Sequence, residues 1–98
     1  MALYVGLAKM TREGASRIRD LAPEYAKARQ YIESVGGKII CMTACFGEYD
    51  FVSVVDYPDQ AAALKAAGYV TSQGVVTVQT LPACSIDDFL KVMSGLPK

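Results

Sequence analysis

Apolar and polar positions along the chain fall into blocks that predict four strands. The apolar run from Ala2 to Met10 predicts a first strand buried on both faces. Residues 38–46 and 49–57 are rich in β-branched and aromatic side chains, which is typical of strands. A fourth strand is predicted from Val75 to Leu81, where Pro82 is expected to end it.

Helical spacing fills the intervals between these strands. Thr11 is a predicted N-cap, and the helix after it is expected to be interrupted at Pro23. Gly36 is expected to end the second part of that helix, because glycine accepts the left-handed conformation after a last turn. An alanine-rich helix is predicted from Gln60 to about Val70, and Ser85 caps a terminal helix. The apolar stripe of that terminal helix comprises Ile86, Phe89, Leu90 and Met93.

A tight hairpin is predicted between the second and third strands, with a two-residue turn that begins at Gly47. Glycine at this position fits a type II′ turn. The register that follows pairs Ala44 with Phe51 and Ile40 with Val55, and it leaves both faces of the hairpin apolar. The side chains expected on the face without helices are Met42, Phe46, Tyr49, Phe51 and Val55.

The order β-α-β-β-α-β plus a terminal helix predicts a single α+β domain over residues 1–98, a ferredoxin-like sandwich with a four-stranded antiparallel sheet. Strands one and three are neighbours in this topology, which brings Asp50 close to Lys9, Met10 and Thr11. Helices cover only one face of such a sheet, and the other face is also apolar. We therefore expect a homodimer or higher homo-oligomer of the dimeric α+β barrel type, joined through the sheet face.

Composition narrows the chemistry. Ten basic and ten acidic side chains cancel, so the chain has no field to attract nucleic acid or an anionic membrane, and we expect neither as a partner. No apolar run reaches the roughly 20 residues that span a bilayer, and no leader peptide is recognisable, which predicts a cytoplasmic protein. The chain contains no histidine, which excludes Ser-His catalysis and haem ligation by histidine.

Three cysteines without a CxxC spacing predict reduced thiols, and we expect Cys41 and Cys45 to be small core side chains. No metal site or cofactor is predicted, since the acidic residues lack the spacing of a calcium loop. No catalytic residue is assigned either.

The candidate ligand-binding residues are Asp50, Tyr49, Thr11 and Arg12. Asp50 can act as a general base or a polar anchor, but a carboxylate near a helix start can equally accept backbone N–H groups or pair with a neighbouring cation. Tyr49 can donate a hydrogen bond to a ligand, or it can pack across the hairpin on Phe46.

The motif Gly47-x-Tyr49-Asp50 resembles the signature of the GYD-domain family. The layout of the chain also resembles that family, with Thr11-x-x-Gly14 at the end of the first strand, Gly36-Gly37 before the second, Pro58-Asp59 at a helix start and a Val-Thr-rich last strand. The resemblance covers nearly the whole chain and implies a ferredoxin-like dimeric fold, but it implies almost nothing about activity. After Pro23 the chain departs from the family, because Glu24-Tyr25-Ala26-Lys27 stands where an arginine is expected.

Three classes of function remain open at this point. The first is a homo-oligomer that binds a small, partly apolar ligand between its sheet and helices. The second is a cofactor-free oxygenase or isomerase, by analogy with other dimeric α+β barrels. The third is a regulatory or interaction module.

Overall fold

The computed structural model describes residues 2–98, in which four strands form one antiparallel sheet. The spatial order of the strands is β2-β3-β1-β4, with all pairs antiparallel. The predicted α+β, ferredoxin-like arrangement is confirmed, and the sheet is open. The strands are β1 (Ala2–Met10), β2 (Lys38–Ala44), β3 (Phe51–Tyr57) and β4 (Val76–Ala83).

Four α-helices and one short 3₁₀ helix connect and follow the strands. The α-helices are α1 (Arg12–Ser16), α2 (Ala22–Ser34), α3 (Gln60–Ser72) and α4 (Ile86–Met93). Helices α2 and α3 contact each other and lie on one face of the sheet. Across residues 2–98, no helix combines the length and the hydrophobicity needed to cross a bilayer.

The first crossover is divided at a different place from the one predicted. The 3₁₀ helix Ile18–Asp20 separates α1 from α2, so the break precedes Pro23. Pro23 lies in the first turn of α2. Backbone N–H groups in a first turn have no acceptor within the helix, so the lack of an N–H in proline breaks no hydrogen bond there. The proline therefore starts the second helix and does not kink it.

The hairpin between β2 and β3 is wider than predicted. The backbone N–H of Cys45 donates to the carbonyl of Asp50 over 2.8 Å, and the four residues between them form an irregular loop. The predicted two-residue turn at Gly47 was therefore wrong. Phe46 is fully exposed, so the packing of Tyr49 on Phe46 was wrong as well.

The predicted register holds along most of the hairpin, where Ala44 pairs with Phe51 and Cys41 with Val54. It then shifts, because Ile40 is an extra residue and Ile39 pairs with Val55 in its place. The bulge turns Ile39 toward the core, where it packs with Val55. Beyond this point the predicted pairing of Ile40 with Val55 was wrong.

The helices cover the face that the sequence predicted to be uncovered. Val55 is buried against α2 and α3, and Met42 and Phe51 face the same side. Both faces of the hairpin are apolar, so the pattern in that segment gave no preference for one side. The core that results is small: Ile32, Val55, Tyr57, Ala62, Ala63 and Ala66 are its buried cluster.

Among residues 2–98, no helix lies over the opposite side of the sheet, which we call the open face. It carries the alternate residues of each strand, because successive side chains point to opposite sides. Lys9 and Lys38 lie toward its two ends. Its apolar centre comprises Leu3, Val5, Leu7, Val52, Val54 and Leu81.

The C-terminal segment extends away from the sheet. Strand β4 continues through Pro82, which an edge strand tolerates, and every residue from Leu81 to Lys98 is exposed. Ser85 caps α4 as predicted, with its hydroxyl accepting a hydrogen bond from the Asp88 N–H. The radius of gyration is 15.1 Å, whereas a compact chain of this length has about 13 Å.

Candidate functional site

The order of the strands brings Asp50 to the end of β1, as predicted. Its carboxylate accepts a hydrogen bond of 2.8 Å from the backbone N–H of Met10. Its own N–H donates to the Ala8 carbonyl, also over 2.8 Å. Asp50 therefore fastens the hairpin loop to β1 at the point where regular pairing with β3 ends.

Thr11 joins three segments at the same end of β1. Its hydroxyl accepts a hydrogen bond from the Gly14 N–H, which caps α1 as predicted, and donates to the Gly74 carbonyl over 2.7 Å. Its backbone N–H donates to the carbonyl of Val75. Gly14 is buried here, and a methyl group on its Cα would overlap the Val75 carbonyl oxygen. The glycine is needed for this close approach.

Tyr49 and Arg12 lie apart from that pair of side chains. The Tyr49 hydroxyl donates to Oε1 of Gln79 over 3.1 Å, and the Lys9 ammonium lies 5.7 Å from the centre of the Tyr49 ring. These contacts place Tyr49 at one end of the open face. Arg12 is exposed at the start of α1. The structure thus brings Asp50 and Thr11 together, but it does not combine all four candidates into one pocket.

A cavity of about 420 Å³ lies between the sheet and helices α2 and α3. The cavity exists because many side chains between the sheet and the helices are small and do not fill the space between the two layers. Its lining includes Gly6, Ala8 and Ser53 on the sheet and Ala28, Ala66 and Ala67 on the helices. Asp50, Tyr49, Thr11 and Arg12 are absent from the lining among the described residues, so their ligand-binding role stays a prediction.

Polar groups in and around this cavity are few. Glu24 lines it and forms an ion pair of 3.4 Å with Arg17, whose Nε is buried without a hydrogen-bond partner within residues 2–98. Tyr57 lines the opposite part and packs edge-on against Tyr4, with 5.8 Å between ring centres. Burial raises the pKa of the Tyr57 hydroxyl above its ordinary value.

The sequence analysis expected a ligand between the sheet and the helices, but it did not predict which residues line this cavity, its tyrosines included. A signal was present in the alternation of Gly6 and Ala8 on β1, which neighbours Ser53 on β3. Small residues at these positions indicate an empty space only after the strand pairing and the helix-covered face are known.

The cysteines give no support to a metal site. Cys41 and Cys84 are exposed, and Cys45 is half-buried. The expectation that Cys41 and Cys45 are core side chains was therefore wrong for Cys41, which lies on the open face opposite Val54. The part of the chain that the structure describes holds no group of three or more metal-ligating side chains.

The open face is an apolar surface with a polar edge. Its middle row runs Cys41, Val54, Val5 and Leu81 across the four strands, and Lys9 and Gln79 border it at one end. Within residues 2–98, no helix packs over this row. The open face is consequently an ordered apolar surface that the fold leaves partly in contact with water.

Comparisons with known proteins identify a family pattern and a curated relative that both match nearly the whole chain. The sequence pattern of the GYD domain matches residues 4–93. A curated protein of Thermus thermophilus, named glutamine synthetase and cystathionine beta-lyase binding protein, is 29% identical over 91 residues. The match covers 92% of this chain and 96% of that protein. No solved structure gives a significant match.

Proposed function

Since this chain belongs to the GYD domain family, whose pattern spans nearly all of it, we propose that it is a non-catalytic interaction module that self-associates and binds another protein. The observation that carries this proposal is the open face, an ordered apolar surface with no covering element. We include a cytoplasmic location in the proposal, because the reduced cytosol keeps exposed thiols such as Cys41 free.

The energetics of the open face favour a partner. A fully buried Val or Leu side chain contributes about 1.5–3 kcal/mol relative to the exposed state. Val5, Leu7, Val52 and Val54 are half-buried by their neighbours in the sheet, so part of that stabilisation is still unrealised. Small domains have net stabilities of only about 5–15 kcal/mol, so covering these side chains changes the balance substantially.

The accessible surface of the whole chain leads to the same expectation. It measures 6833 Å², whereas a monomer of 10.5 kDa typically exposes about 5400 Å². The excess of about 1400 Å² exceeds the roughly 800 Å² that each partner contributes to a standard interface. Self-association through the open face reduces this excess.

The Thermus thermophilus relative indicates which partner to test. Its name states that it binds glutamine synthetase and cystathionine beta-lyase. The two chains align over nearly their full lengths, and on that basis we propose that this chain also binds an enzyme of one of these two classes. The neutral net charge fits an interface that depends on apolar contact more than on electrostatic steering.

A binding measurement with purified enzymes tests this proposal. We expect saturable binding of the wild-type chain to glutamine synthetase or to cystathionine beta-lyase from the same organism, by isothermal titration calorimetry. A negative heat-capacity change should accompany binding, because apolar surface is buried. Absence of binding to both enzymes at concentrations of about 100 µM would contradict this assignment of the partner.

The cavity supports a second candidate function, the binding of a small, partly apolar ligand. Its volume of about 420 Å³ lies within the range of small-molecule sites, roughly 300–1,000 Å³. The walls are mostly apolar, and Glu24 is a charged side chain that lines them. A ligand with an apolar body and one hydrogen-bond donor, such as an amine, fits this arrangement, because the Glu24 carboxylate can accept from it.

A cavity-filling variant tests the second candidate. Ala67 lines the cavity on α3, so Ala67→Leu should reduce the amount of small molecule that copurifies with the protein, measured by mass spectrometry after denaturation. Ala61→Leu is the matched control, because Ala61 lies on the exposed side of the same helix. Equal ligand content in both variants, or none in the wild type, would argue against a ligand in this cavity.

A further inference from the structure

Helix α4 presents an apolar stripe that no described element of its own chain covers. Ile86, Phe89, Leu90 and Met93 recur at spacings of three and four, which places them on one side of the helix. All four are exposed, between 39% and 67%. An isolated helix of eight residues is marginal in water, so this one needs a surface to pack against.

The open face is the surface of this molecule that best matches the stripe. It is apolar at its centre and carries Lys9 at one end, whereas the first turn of α4 carries Asp87 and Asp88. At the other end Lys38 pairs across the strands with Asp56, so its charge is offset there. The acidic turn of the helix is therefore complementary in charge to the Lys9 end of the face. The helix does not cover the open face of its own chain, since all of its residues are exposed.

We infer that α4 is an arm exchanged between two copies of this chain, with the stripe of each α4 packed on the open face of the other copy. This inference rests on the self-association proposed above and specifies how the two copies hold each other. In this arrangement both uncovered apolar surfaces are buried in a single symmetric interface.

The area of the surfaces supports the arm. Four strands about 4.8 Å apart and seven residues long give the open face a flat area of about 450 Å². A standard interface buries about 800 Å² on each partner, so the open face alone is too small. The stripe of α4 supplies the additional area. The excess accessible surface noted above is large enough for both parts.

Chemical cross-linking of isotopically mixed protein tests whether the arm is exchanged. Equal amounts of ¹⁴N-labelled and ¹⁵N-labelled chains are mixed, equilibrated and treated with a lysine-reactive cross-linker. Lys91 reports the position of α4, whereas Lys9 and Lys38 report the open face. We expect cross-links from Lys91 to Lys9 or Lys38 in mixed-isotope form. The inference would be overturned if all cross-links joined chains of the same isotope. It would also be overturned if the mixed-isotope cross-links joined Lys91 to Lys27 or Lys65 on the helical layer.

A pair of variants separates the arm from self-association as such. Phe89→Glu places a charge in the stripe, whereas Lys91→Gln makes the same change in net charge on the polar side of α4. We expect Phe89→Glu to raise the dissociation constant of the dimer at least tenfold and Lys91→Gln to leave it within twofold, by sedimentation velocity. A dimer with unchanged affinity in Phe89→Glu would reject the arm and retain self-association. A monomeric wild type would reject both.

Discussion

The Asp50 carboxylate accepts a hydrogen bond of 2.8 Å from the backbone N–H of Met10, a residue 40 positions earlier in the chain. This contact occupies the place where regular pairing between β1 and β3 stops. The aspartate of the Gly47-x-Tyr49-Asp50 motif therefore has a definite structural task. The contact also explains why this loop is not a tight turn, because its last residue bonds to a different strand.

Removal of the Asp50 carboxylate should lower stability. In Asp50→Ala the Met10 N–H loses its partner, and we expect the free energy of unfolding to fall by about 1–3 kcal/mol, measured by urea denaturation. Asp50→Asn keeps an acceptor oxygen and should lose less than half of that amount. Equal losses in the two variants would show that the negative charge, and not the hydrogen bond to Met10, is what matters.

Gly14 should tolerate no side chain. A Cβ at this position would overlap the carbonyl oxygen of Val75, which is backbone and cannot move aside easily. We expect Gly14→Ala to destabilise the protein by about 3 kcal/mol. Gly68→Ala is a matched control on α3, because nothing lies within 4 Å of a Cβ there, and it should stabilise by up to about 1 kcal/mol. Similar thermal midpoints for both variants would contradict the close approach of Gly14 to the Val75 backbone.

Tyr57 should make stability depend on pH in the alkaline range. Burial raises the pKa of its hydroxyl, so the folded state holds the proton more tightly than the unfolded state. Its contribution is fully present below about pH 10, the ordinary tyrosine pKa, and is lost as the pH rises from there through the raised value. The wild type should therefore lose more stability than Tyr57→Phe does as the pH rises above about 10. Parallel losses would contradict a buried, protonated Tyr57.

The parts of this structure that local residues determine could be predicted from the sequence. Thr11 caps α1 because its hydroxyl accepts a hydrogen bond from the N–H of Gly14, only three residues later. The pairing of Cys41 with Val54 follows from two β-rich segments that are adjacent in sequence. The bulge at Ile40 was not predictable, since Ile39 and Ile40 are the same residue type and only the core decides which one faces inward.

The side of the sheet that the helices cover depends on contacts distant in sequence. Val55 packs on α2 and α3, and no pattern in the hairpin distinguishes its face from that of Val54. The same limit applies to the site. Topology alone was enough to place Asp50 near Met10. The cavity between Gly6 and Ala67 was not predictable, because it depends on the distance between the sheet and the helical layer.

The central claim is that this protein works as an assembly held together through its open face. Its most direct test is the molar mass in solution, by multi-angle light scattering at micromolar concentration. We predict at least twice the single-chain mass of 10.5 kDa for the wild type, and the single-chain mass for a folded Val54→Lys variant, which carries a charge at the centre of the open face. A wild type that elutes with the mass of one chain would contradict the claim.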